Sequence, residues 1–205
     1  MSTTTSLGRI GVAVACAVLF AVTAGGCTVN GATGTSQPAP TSEAGDEQPA
    51  RPRELAIAGL TEPQICGLIK PEQEQQIGAF GPSPAPKDGT LDFPGCIWQS
   101  PAGGVPYGIG VAVAPMGLDE LLGQKDPGSP ETAATYTVGE GFRAVQSQTP
   151  GAEGLGCVVD VDVAEGQALE VNIAMLQSQA LSNQEQCAKA KQAAELVVTN
   201  LQAQG

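Results

Sequence analysis

The chain has 205 residues, with 21 acidic against 9 basic side chains, a net charge of −12 and no histidine. That balance argues against a nucleic-acid partner, which rewards basic patches, and against a basic surface for anionic headgroups. The missing histidine removes the commonest general base and the commonest metal ligand together.

In chain order, the amino terminus and Arg9 precede one apolar stretch, Ile10 to Thr23, which exits through Ala24-Gly25-Gly26 to Cys27. A charged start, an apolar middle and a small-residue exit make a secretory signal. With a cysteine directly behind the small residues, the pattern resembles the bacterial lipoprotein signal. There the cysteine sulfur receives a diacylglycerol and, after cleavage, becomes the new N-terminus; only a thiol can form that thioether. The apolar run is too short for a spanning helix, which needs about 20 residues. Residues 1–26 are therefore expected to be removed and Cys27 to carry the lipid. Two or three acyl chains then hold the protein on the extracytoplasmic face of the cell membrane.

Residues 27–53 comprise the lipidated cysteine and a stretch rich in Thr, Ser, Pro, Ala, Gly and acids. Such a composition buries too little surface to offset its ordering entropy, so a disordered tether is expected. As a flexible coil it spans roughly 25–30 Å on average. The apolar pattern begins at Glu54, and 54–205 is one domain's worth of chain.

Cys16 leaves with the signal, so Cys66, Cys96, Cys157 and Cys187 remain beside Cys27. An even count in an exported domain reads as two disulfides, with three connectivities open. Proximity favours Cys66–Cys96 and Cys157–Cys187, each closing a loop worth about 3.5 kcal/mol in the chain-entropy model. No close C-x-x-C pair supports a zinc site, and no metal or other cofactor is expected.

The domain opens on Thr61-Glu62-Pro63-Gln64, a capping box with an early proline, predicting a short helix through Ile65, Cys66, Leu68 and Ile69. Pro71 restarts a second short helix to Ile77, stopped by Gly78 and Gly81-Pro82. After a proline-rich loop, Cys96-Ile97-Trp98 reads as a strand. Tyr107, Ile109, Val111 and Val113 then alternate with Gly or Ala, a strand whose other face packs closely or is covered. Leu118 to Leu122 predicts a short helix. Phe142 to Gln148, Gly156 to Ala164 and Gln167 to Leu176 predict three more strands, with Glu165-Gly166 as a hairpin turn. Last comes the clearest helix: Ser182-Asn183-Gln184-Glu185 is a capping box, and Cys187, Ala190, Ala194, Val197 (or Val198) and Leu201 share one face. The expected fold is a single α+β domain: an antiparallel sheet of about five strands, short N-terminal helices, a longer C-terminal helix packed on the sheet, and two disulfides.

A family resemblance rests on these residues. Behind the lipid-type signal and tether come Cys66-Gly67-Leu68-Ile69 before Pro71-Glu72, the strand Cys96-Ile97-Trp98, the strand Cys157-Val158-Val159 and the helix pair Cys187-Ala188. From about Leu60 to Leu201 the chain looks like the actinobacterial envelope lipoproteins grouped as a domain of unknown function. Lys70 departs from the Ser, Thr or Asp that such chains often place before Pro-Glu. The resemblance implies an envelope location and brings no functional residues with it.

Candidate chemistry is sparse. Asp160 and Asp162 alternate with Val159, Val161 and Val163, so both carboxylates share a strand face, with Glu165 just beyond. A carboxylate pair can run acid–base chemistry or bind calcium. Ala164 and Val171 stand where a calcium loop needs oxygens, so a solvated strand face is expected instead. Trp98 shares its face with Cys96 and is expected to pack on that disulfide rather than stack a ligand. Gly151, Gly154 and Gly156 precede a strand and make no phosphate fingerprint. No G-x-S-x-G, no nucleophile–histidine pair and no free mature cysteine is found, so no catalytic residue is assigned. The reading is a lipid-anchored, non-enzymatic envelope module. Its partners are the membrane through the anchor and a protein, a wall polymer or an apolar molecule in a groove between helices and sheet. The alternatives are a carboxylate-dependent envelope hydrolase and an accessory or sensory subunit of a membrane protein.

Overall fold

The structure, a computed structural model, describes residues 50–86, 93–125, 134–149, 151–177 and 180–205. The signal, Cys27 and the tether before residue 50 lie outside the described residues.

Alternating apolar residues close one antiparallel sheet, and the capped segments become helices. In chain order the elements are α1 (Glu62–Cys66), α2 (Pro71–Ile77), β1 (Phe80–Pro84), β2 (Gly95–Gln99), β3 (Tyr107–Ala114), α3 (Leu118–Lys125), β4 (Ala134–Val138), β5 (Phe142–Ser147), a 3₁₀ turn (Glu153–Leu155), β6 (Gly156–Ala164), β7 (Gln167–Met175) and α4 (Asn183–Gln202). The sheet order is β1-β2-β3-β7-β6-β5-β4, so two meanders join where β7 pairs antiparallel with β3. Seven strands stand where about five were expected. The two additional ones are the sheet's edges, β1 and β4. All of β1 is exposed, as is most of β4, so neither displays a buried alternation.

The inner face of the sheet carries Trp98, Ile109, Val111, Val159, Val161, Leu169, Val171 and Ile173, all buried in one cluster with α1, α2 and α4. Ser182 and Glu185 cap α4 reciprocally: the Glu185 carboxylate accepts the Ser182 N–H at 2.8 Å, and the Ser182 hydroxyl accepts the Glu185 N–H at 3.3 Å. The face predicted for α4 is buried, and Ala193 and Val198 widen it. Two polar residues of α4 are buried with it, Gln186 and Asn200. The Asn200 amide donates to the Leu68 carbonyl and to Gln73 Oε1, each at 2.7 Å. Gln73 also receives the Lys70 N–H at 2.9 Å. A glutamine thus caps the start of α2, where Lys70 has no acceptor side chain to offer.

Disulfides join Cys66 to Cys96 and Cys157 to Cys187, each across 30 residues. The first ties α1 to β2 and the second ties α4 to β6. The chain before the expected domain start at Glu54 also touches the domain. Arg51 pairs with Asp162 at 3.0 Å, and Arg53 donates to the Gln202 carbonyl.

Candidate functional site

Strand register explains a concave feature of the outer sheet face among the described residues. Three rows cross β2, β3 and β7: Gly95–Ala112–Glu170, Ile97–Gly110–Asn172 and Gln99–Gly108–Ala174. Because side chains alternate along a strand, all nine face outward. The middle strand contributes only Gly108, Gly110 and Ala112, so its positions are low. Ile97 and Gln99 rise on one side, Glu170 and Asn172 on the other. The result is a trough of about 370 Å³, at the lower end of small-molecule site volumes. Leu176 stands at one end and Phe93 at the other.

The polar wall is held in place. Asn172 Nδ2 donates to Glu170 Oε1 at 3.2 Å. A Cβ at position 110 would lie 2.6 Å from Asn172 Oδ1, so glycine there is what lets the amide lean over the floor. Small and apolar surface with one adjacent amide–carboxylate pair can bind and orient a partly apolar ligand that donates hydrogen bonds. Glu170 is the one carboxylate among the described lining residues. A glycosidase-type mechanism needs two that face each other.

The aspartates of β6 behave differently from the solvated face expected for them. Asp160 is fully buried, and Asp162 is three-quarters covered and bound by Arg51. The reason is α3, which packs across the outer face here: Leu118 and Leu121 bury against Val145 and Ala168, neighbours of Asp160 and Asp162 in the register. Arg143 of β5 holds α3 through Asp119 at 3.0 Å. Burial raises the Asp162 pKa above its usual value, with Arg51 and then Arg143 opposing the shift. Asp160 sits directly across from Glu170, but neither aspartate lines the trough.

Trp98 is fully buried in the same core as Cys96, and its indole Nε1 has no hydrogen-bond partner among the described residues. The loop of Gly151 and Gly154 forms the 3₁₀ turn before β6. There the Glu153 carboxylate accepts the Gly151 N–H at 3.0 Å, which lowers the pKa of Glu153. At the β6–β7 turn the Glu165 N–H donates to the Glu54 carboxylate at 3.0 Å. The main core lies between the helices and the inner face of the sheet, and the trough lies on the opposite face. Its signal in the sequence was the run of Gly and Ala between the apolar residues of β3. The walls came from strands 10 to 60 residues away and carried no local mark. Among the described residues no group of three or more Cys, Asp or Glu is placed to hold a metal ion. No described helix is long and apolar enough to cross a membrane.

The profile of a family described as a protein of unknown function, DUF3558, matches residues 22–200. The chain belongs to that family. No curated protein and no solved structure matches it.

Proposed function

For this member of a family of unknown function, we propose a lipid-anchored, non-enzymatic binding module of the cell envelope. The anchor is Cys27, read from the signal-like N-terminus. The observation that carries the binding role is the trough over Gly108, Gly110 and Ala112. Concave, small-floored surface beside a fixed amide–carboxylate pair is suited to holding a ligand with an apolar body and a hydrogen-bond donor. Five residues of β3 give it a length of roughly 13 Å, so the ligand is elongated, or it is one segment of a longer chain.

The test uses the full lipidated chain extracted from its own envelope and measured by native mass spectrometry. Intact mass reports whether Cys27 carries two or more acyl chains; Cys27→Ala should lack them and leave the membrane fraction. A second, separable mass adduct should report the trough ligand. Ala112→Leu fills the floor without touching the main core, and should remove that adduct at an unchanged melting temperature. An extract without any adduct, or an adduct indifferent to Ala112→Leu, refutes the binding reading and leaves the anchor to be judged by its own mass.

A further inference from the structure

The two ends of the trough differ in depth and in chemistry. At the Gly95–Ala112–Glu170 row the lining is sheltered: Glu170, Ala85 and Phe93 are all half-buried. Phe93 packs against the buried cluster of Leu118 and Leu121, and the Ala85 N–H donates to the Gly95 carbonyl at 3.0 Å, so both are held at this end. At the Gln99–Gly108–Ala174 row the lining opens to solvent. Gln99 and Ala174 are exposed there, and Leu176 is 70% exposed. The floor runs along β3 from Ala112 to Gly108 for roughly 13 Å. Its walls, on β2 and β7, are two strand spacings apart, roughly 10 Å between backbones, which leaves room for one narrow chain between Ile97 and Asn172.

Charge is confined to the sheltered end. Glu170 lies there, and among the described residues no Lys or Arg lines the trough with it. Asp160 stands directly across from Glu170, a second carboxyl group on the same face one strand away. Arg51 and Arg143 bind Asp162 and Asp119 instead, each at 3.0 Å. A carboxylate accepts several donors at once, so a ligand head can join Asn172 on Glu170. A cationic donor makes a bond roughly twice as strong there as a neutral one, and Phe93 can add a cation–π contact at the same end. An anionic head would face Glu170. Along the floor, the backbone groups of Gly108 and Gly110 are spent on the ladders to β2 and β7. A peptide or sugar body lying on that floor would leave its own polar groups without partners, which is costly; an alkyl chain has none to satisfy.

We propose that the trough ligand is a small linear amphiphile with an ammonium head. The head sits at Glu170 beside Phe93, and the alkyl tail lies over Gly110 and Gly108 toward Leu176. This rests on the reading of the trough as a binding site and adds the ligand's charge, its class and its direction. The lone lining carboxylate selects the head. The bare floor and the exposed Leu176 side chain select the tail. Glycine at position 108 is a convenient gauge of direction: a Cβ there would meet Ile97 Cγ2 at 3.5 Å, an ordinary contact. Gly108→Ala therefore fits the fold and raises the floor under the tail alone.

The experiment titrates the full lipidated chain, held in zwitterionic nanodiscs, with octylamine, octanol and octanoate in a calorimeter. These probes share one tail and differ in the charge of the head. The same nanodiscs carrying Ala112→Leu supply the baseline, which removes partition into lipid and binding elsewhere on the acidic surface. Octylamine should bind at least tenfold more tightly than octanol, and octanoate should give no heat above the baseline. Glu170→Gln, which keeps an acceptor for Asn172, should bring octylamine to within about twofold of octanol. Gly108→Ala should weaken octylamine at least threefold and leave butylamine, whose tail stops short of Gly108, unchanged. Equal binding of octylamine and octanol, or octylamine binding indifferent to Glu170→Gln, would overturn the ammonium head while leaving the trough a binding site. Butylamine weakened as much as octylamine by Gly108→Ala would overturn the direction, and acetyl-lysine amide binding more tightly than octylamine would replace the amphiphile by a peptide. No probe binding above the baseline would overturn the inference outright, and the envelope adduct sensitive to Ala112→Leu would still decide the binding reading by itself.

Discussion

Replacing Asn200 by alanine should cost this domain more than most surface-sized truncations, although Asn200 lies in the last turns of a helix. Its side chain is 5% exposed. The amide joins three pieces of chain: it donates to Leu68 O and Gln73 Oε1 at 2.7 Å, and its oxygen accepts from Gln73 Nε2 at 3.3 Å. Each neutral hydrogen bond contributes about 1 kcal/mol net, and a carbonyl left buried without a partner costs about 1–3 kcal/mol. Asn200→Ala should therefore destabilise by about 2–4 kcal/mol. At about 2–4 °C per kcal/mol for a domain of this size, the melting temperature should fall by roughly 5–15 °C. Urea unfolding followed by the fluorescence of Trp98, the single tryptophan, is the direct assay. The midpoint should move with an unchanged slope. Gln73→Ala should be non-additive with Asn200→Ala, with a coupling of about 1–2 kcal/mol. A loss under about 0.5 kcal/mol, or strict additivity, would show that the amide pair does not link α4 to α2.

Removing either disulfide by paired alanines, at positions 66 and 96 or 157 and 187, should lower stability by about 3.5 kcal/mol in the loop-entropy model, read from the same urea curves. Leu201→Ala, which empties a site 5% exposed, should cost about 2–5 kcal/mol, whereas Gln192→Ala on the exposed face should stay within about 0.5 kcal/mol. Burial of its phenol, and secondarily Glu195, push the Tyr136 pKa up from 10.0 to about 12. The folded chain keeps this proton while the unfolded chain loses it, so stability should fall as pH rises from 10 to 12 and be untouched below. Ultraviolet titration should show the late tyrosine step, and Tyr136→Phe should abolish both that step and the slope.

Much of the architecture is written locally. The capping boxes at Thr61 and Ser182 mark helix starts because a cap needs residues only three positions apart. The five inner strands are legible because burial on a face imposes alternation within a few residues. The edge strands escaped that reading. Gly81-Pro82-Ser83-Pro84 in β1 carries turn residues and no buried side chain, and β4 is mostly exposed. Both are strands through the neighbour they pair with, which is a property of the partner strand as much as of their own residues. Asp160 shows the same limit on the outer face. Its alternation with valines puts it on the polar side of β6, but α3 crossing above it decides that the polar side is dry. The trough depends on which residue of β3 stands beside which residue of β7, 60 positions later. Side-chain period is local and survives in the sequence. Strand neighbours and register are set by long-range packing, and only the folded chain decides them.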